Sequence, residues 1–166
     1  DWIVIQQRID GSLSFNKNWI TYKLGFGNYN KNYWMGLEKI YQLTNWQNFR
    51  LRFEVLINGV WTSDEYDHFK IGSEMEKYRL TVSGYSGDKC NVLNSTVPEY
   101  RHNGMYFSTP DQDNDLLANW SCASMTSSGN WFNACQYQRV NSVYGSNLDY
   151  AYTRATYIRM MIKPNP

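Results

Sequence analysis

Histidine is nearly absent, with two residues in 166, and proline is scarce, with four. Two histidines, His68 and His102, leave few acid/base options. No H-E-x-x-H, no G-x-S-x-G and no phosphate-cradling glycine loop occurs, so an enzyme is not expected. His102 opens a turn-forming His-Asn-Gly and is read as fixing it, and Asp64 and Glu65 beside His68 as a solvated hairpin end. Charge of one sign is also missing: 16 Lys and Arg against 15 Asp and Glu give a net charge of +1. That leaves no basic footprint for nucleic acid. No apolar run reaches the roughly 20 residues that span a bilayer, so no membrane role is expected. There is no leader; the chain opens at Asp1 inside what reads as a strand, which points to a removed signal and earlier segment or to part of a longer protein. Three cysteines are an odd number, so one of them is a buried thiol or an intermolecular link. No linker, repeat or low-complexity segment interrupts the chain, and residues 1–166 read as one domain with enough length for a real core.

Aromatics are abundant, with 14 Tyr, 7 Trp and 7 Phe. Polar-tipped rings fill loop-rich cores and also offer flat faces to ligands. The densest chemistry lies in residues 102–135, where Asp111, Asp113 and Asp115 alternate with no Lys or Arg among them. Such carboxylates repel one another unless a cation sits between them, and hard-oxygen Ca2+ sites use donors of this kind. An acidic surface turn is the alternative, because Asp and Asn favour turns locally. An EF-hand is excluded: its sixth and twelfth positions would be Leu116 and Cys122 where Gly and Glu are required. The triplets Asn94-Ser95-Thr96 and Asn119-Trp120-Ser121 are N-glycosylation acceptors and fit a secreted glycoprotein.

The hydrophobic pattern predicts a strand over 2–8, a short helix broken by glycines within 15–27, and a helix within 33–43 with Leu37, Ile40 and Tyr41 on one face. Residues 49–57 alternate apolar and charged, as in a half-buried strand, and Asn58-Gly59 is a hairpin signal. Residues 60–66 return, and 69–72 and 78–87 continue the sheet. Residues 157–164 supply a closing strand.

Several of these segments together resemble the fibrinogen-related domain, the C-terminal globular module of fibrinogen chains, ficolins, tachylectins and secreted invertebrate lectins. The resemblance is carried by DWIVIQQRIDGSLSFNKNW, YKLGFG, YWMGLEKIYQLT, FKIG, YRLTVSGYSG and FSTPDQDND, followed by Cys122-Ala123, Gly129-Asn130-Trp131 and Cys135. It covers essentially the whole chain in a form shortened at both ends. It implies an α+β fold: a central, mostly antiparallel sheet over about residues 1–100, calcium and ligand-pocket loops over about 101–150, and a closing strand over 151–166.

The resemblance also implies a Cys122–Cys135 disulfide, with Cys90 left over, and Ca2+ held by Asp113, Asp115 and the carbonyls near Leu117 and Asn119, Asp111 lying outside. The family pocket maps to Thr126, Trp131, Phe132, Ala134, Cys135, Gln136, Tyr150 and Ala151, with a cis peptide before the second cysteine. There two backbone N–H groups would meet one carbonyl oxygen and an aromatic wall would take a methyl. Gln136 replaces the usual histidine, Asn130 the first of two tryptophans, and Thr126 an aromatic. The implied function is a secreted, calcium-dependent, lectin-like pattern-recognition module for acetylated or sialylated glycans in innate immunity, with glycans or glycoproteins as partners and a homo-oligomer for avidity. The alternative is a protein-interaction or assembly module on the same fold. A peptide amine would need carboxylates in the pocket, and the Cys122–Cys135 segment holds none.

Overall fold

The computed structural model describes all 166 residues, Asp1–Pro166. One seven-stranded antiparallel sheet organises it. The strands are β1 (Ile3–Arg8), β2 (Phe26–Gly27), β3 (Tyr33–Trp34), β4 (Phe49–Ile57), β5 (Val60–Ile71), β6 (Leu80–Gly87) and, after the two short strands β7 (Asp149–Tyr150) and β8 (Thr153–Arg154) of a separate hairpin, β9 (Tyr157–Pro164). The sheet order is β2-β3-β1-β9-β4-β5-β6, so β9 lies inside the sheet between β1 and β4. Strand β4 alternates buried and half-buried residues along its whole length, as its apolar/charged alternation requires. The β4–β5 turn places Asn58 at φ 50° and Gly59 at φ 76°, the left-handed pair that matches strand twist.

Helix α1 (Trp19–Leu24) begins where the Asn18 side chain accepts a hydrogen bond from the Thr21 N–H at 3.0 Å. It ends at Gly25, whose φ is 96°. A Cβ there would lie 2.3 Å from the Met35 carbonyl oxygen, so only glycine fits. Helix α2 (Leu37–Trp46) buries Leu37, Ile40 and Thr44. Two expectations are corrected here. Tyr33 and Trp34 are strand residues, because their N–H and C=O groups pair with β1 and β2 before Gly36 redirects the chain. Residues 60–71 are one continuous strand, its return and its continuation unbroken.

The aromatic surplus goes largely into the core. Trp34, Tyr22, Phe107 and Trp131 pack edge-on or tilted at 5.1–6.3 Å between ring centroids. Their polar tips are satisfied: Trp34 Nε1 donates to the Tyr22 carbonyl at 2.9 Å and Trp131 Nε1 to the Tyr78 carbonyl at 2.8 Å. Buried Trp and Tyr are tolerated on that condition. This cluster is the floor on which residues 102–135 rest.

Candidate functional site

Three buried anchors hold the loop face in place. The first is His102, fully buried, whose Nδ1 lies 2.8 Å from the Trp131 carbonyl oxygen. A carbonyl only accepts, so Nδ1 carries the proton. Nε2 is therefore bare and accepts the N–H groups of Tyr137 at 3.0 Å and Gln138 at 3.3 Å. Burial holds the imidazole down to about 4, so it is neutral at physiological pH. It does more than fix its own turn; it carries the segment after Cys135.

The second anchor is Asp64 on β5, 1% exposed, which corrects the solvated hairpin end expected for it. Its carboxylate accepts the hydroxyls of Tyr150 at 2.6 Å and Tyr85 at 2.7 Å and the Lys89 N–H at 3.1 Å. Glu65, one residue on, faces the other side and pairs with Arg50 and Arg52. Burial, and then the Asp64 charge, push the Tyr150 phenol up.

The third is the disulfide Cys122–Cys135, with a Cα–Cα distance of 5.8 Å. Helix α3 (Cys122–Thr126) starts there, capped by Ser121. The peptide bond Ala134–Cys135 is cis. Cys90 is free and half-buried, its thiol pushed up by burial.

In the acidic loop the three aspartates divide their work. Asp111 accepts the Trp19 N–H at 2.9 Å and the Thr109 hydroxyl at 2.7 Å, tying the loop to α1. Asp115 accepts the N–H groups of Leu117 at 2.9 Å and Cys122 at 2.8 Å. Asp113 accepts the Asp115 N–H at 3.2 Å. No Lys or Arg pairs with any of the three. Burial first, and then the hydrogen bond and charge of the neighbouring Asp113, push the Asp115 carboxyl up. The carbonyls of Leu117 and Asn119 accept no hydrogen bond within the protein, and Asn119 turns the chain at φ 68°. No three His, Cys, Asp or Glu side chains converge. Two carboxylates and two free carbonyls are a hard-oxygen donor set of the kind Ca2+ takes.

The expected pocket is redistributed. Trp131, Phe132, Tyr150 and Thr126 are buried, so the wall expected of them is not on the surface. Trp131 and Tyr150 belong to the main core, and Phe132 packs against Cys122 and Ala123. Ala134, Cys135, Gln136 and Ala151 are half-buried. Gln136 lines a cavity of ≈170 Å³ with Tyr137, Gln138, Arg139, Asp149 and Tyr152. The backbone N–H groups of Cys135 and Gln136 have no partner in the protein. Surface rings come instead from Tyr137 and Tyr152, whose centroids lie 4.7 Å apart, and from Tyr100 next to Tyr152. A carboxylate does reach this cavity, which the Cys122–Cys135 segment alone did not offer. It is Asp149, already paired with Arg139 and Arg154. Tyr137, Tyr152 and Asp149 lie outside the pocket read from sequence; the aromatic-Ala step at 150–151 was the nearest signal to them.

A seven-stranded antiparallel sheet carrying a disulfide-stapled loop face defines a fibrinogen-like globe. The chain belongs to the family described as fibrinogen beta and gamma chains, C-terminal globular domain, whose model matches residues 1–158. Fibroleukin of Bos taurus is 39% identical over 144 residues, covering 86% of this chain and 32% of that protein. The chain thus spans about a third of the length of that curated relative. Among solved structures, the fibrinogen-like globe domain of human ANGPTL2 is 35% identical with a TM-score of 0.88, covering 99% of this chain and 81% of that one. A lamprey fibrin D-dimer complexed with the peptide ligand Gly-His-Arg-Pro-amide is 31% identical with a TM-score of 0.91, covering 99% and 61%.

Proposed function

We propose that this globe is an extracellular protein-interaction module that docks its partner on the loop face, seating a peptide segment at Gln136–Arg139. The carrying observation is three large apolar side chains left exposed within ten residues: Leu116 at 64%, Trp120 at 67% and Met125 at 60%. Clustered exposed apolar groups favour a docking role, and Trp, Tyr and Met are enriched in interface cores. Hydrogen bonds link Leu116 to the segment around Tyr100. Leu116 N–H donates to the Asn133 carbonyl, and the Asn133 amide donates to the carbonyls of Pro98 and Arg101, either side of Tyr100. The free N–H groups of Cys135 and Gln136 suit a peptide carbonyl. Asp149, neutralised by two arginines, does not demand an amine. The peptide-bound lamprey relative supports the same reading, and the disulfide suits an oxidising compartment.

Glycan recognition, calcium-assisted and directed at acetyl or sialyl groups in innate immunity, is the second reading. The same free N–H pair supports it, but with Trp131, Phe132 and Tyr150 buried an acetyl methyl would have to rest on Tyr137 and Tyr152 instead. Peptide-display selection against the folded chain, beside a glycan array, separates the two. Enriched peptides whose binding falls at least tenfold in Trp120→Ala or Tyr152→Ala, with both variants as stable as the parent, support the interaction module. Glycans bound with no peptide enriched would install the lectin reading.

Ca2+ is proposed for the acidic loop, held by Asp113, Asp115 and the carbonyls of Leu117 and Asn119, where it would offset the convergent negative charge. Calcium at about a hundredfold excess over its dissociation constant should stabilise the fold by about 2.7 kcal/mol. Asp113→Asn should be no less stable than the parent without calcium, because a repulsion is removed, and should gain nothing when calcium is added. Thermal melts check both. A parent melting curve that ignores calcium would remove the ion from the account.

A further inference from the structure

Arg8 on β1 is 1% exposed, yet no acidic side chain pairs with it. Its Nη1 donates to the carbonyls of Val140 at 3.2 Å and Ser142 at 2.7 Å, and its guanidinium lies 4.1 Å from the Phe15 ring centroid. The Nε is buried without a partner. Nη2, on the same edge of the fork, makes no hydrogen bond either. Burial lowers the group only to about 10, so it is a cation at neutral pH.

This cation borders a recessed cavity of ≈180 Å³ whose lining includes Ser14, Asn16, Ser127, Ser142 and Tyr144. A buried charge without a counter-charge is costly, and carbonyl dipoles offset only part of that cost. The planar Nε–Nη2 edge of arginine matches a carboxylate. Ser14, Ser127 and Asn16 supply hydroxyl and amide donors around it, the Ser142 hydroxyl being donated to the Thr126 carbonyl. A volume slightly above the roughly 150 Å³ that holds benzene in an engineered core suits about one ring.

We propose that this cavity is a second ligand site, separate from the Gln136–Arg139 cavity, that binds a carboxylate on a compact ligand at Arg8. Two sources share that chemistry, a peptide C-terminus and an acidic sugar. Calorimetric or NMR titrations of the full chain with acetate, N-acetylglycine and glucuronate, with glucose as the neutral control, test it at constant ionic strength. Saturable carboxylate binding at least tenfold tighter than glucose is expected. Whichever of N-acetylglycine and glucuronate exceeds acetate identifies the source; equal binding of all three leaves the site a plain carboxylate site.

Arg8→Lys keeps the charge but loses the fork, and should weaken binding at least tenfold. Because Arg8 also braces Val140 and Ser142, a second variant is needed. Ser14→Phe, at an exposed position on the rim, fills the cavity and leaves Arg8 in place. It should abolish carboxylate binding while leaving Trp120-dependent peptide binding intact. No saturable binding, glucose binding equal to the carboxylates, or carboxylate binding that survives Ser14→Phe would overturn the proposal.

Discussion

Asp64→Ala is expected to destabilise the globe by about 3–5 kcal/mol, because it leaves two tyrosine hydroxyls and a backbone N–H without an acceptor in a buried setting. Tyr150 is fully buried with its ring 5.3 Å from that of Phe53, so its hydroxyl has no route to solvent. Tyr85 and the Lys89 N–H lose the same acceptor, although both lie nearer the surface. For a chain of this size the change corresponds to a fall in Tm of about 10 °C. Glu65→Ala, next along β5, is the control: its ion pairs are partly solvated, and it should cost less than about 1 kcal/mol. Calorimetric melts of both variants decide the matter. Equal small losses would show that Asp64 is merely tolerated. The loss should also reach the loop face, since Tyr150 bonds to Asp64 and Tyr152 stands two residues on.

Acid is expected to weaken the fold well before its paired carboxylates protonate, through His102. Its folded value is about 4 against an ordinary 6.5. The unfolded chain therefore takes up a proton at a pH where the folded protein does not. Stability from this group is complete above pH 6.5 and falls as pH drops toward 4, by about 3 kcal/mol in total at 1.36 kcal/mol per unit. Protonation would put a hydrogen on Nε2, facing the N–H groups of Tyr137 and Gln138. The depressed carboxylates, Asp10, Glu54, Glu74 and Asp149, lose their contributions lower in the range, below their ordinary values. Urea unfolding at pH 7.5, 5.5 and 4.5 should thus show a pH slope that His102→Asn removes, at the cost of a lower stability throughout. A slope unchanged in the variant would assign the effect to other groups.

The sheet was legible where side-chain period reports burial directly. β4 and its Asn58-Gly59 turn are readable because alternation and left-handed φ are local properties. Helix α2 was readable in its apolar face but not at its start, because whether Tyr33 and Trp34 extend or coil depends on β1 lying alongside. The acidic loop announced itself through uncompensated charge, and the disulfide through resemblance. Asp64 and His102 could not be found this way. A buried Asp and an exposed one have the same neighbours in sequence, and the tyrosine that satisfies Asp64 lies 86 positions away. The burial of the pocket aromatics was hidden for the converse reason: Trp131 and Phe132 suit a wall and a core equally, and only tertiary packing, of Trp34 and Phe107 on Trp131 and of Cys122 and Ala123 on Phe132, puts them inside.

The place of β9 has a consequence for how the molecule comes into being. Its eight residues join β1 on one side to β4 on the other. Until residues 157–164 are available, a nascent chain holds two separate half-sheets, β2-β3-β1 and β4-β5-β6, each ending in an unpaired row of backbone donors and acceptors. Such rows template association with other chains. Synthesis, however far advanced, cannot close the sheet progressively; closure waits for one late segment and bridges more than a hundred residues when it comes, a topology that folds slowly. A ribosome stalled beyond β8 would therefore display two unpaired borders, open to association until β9 arrives.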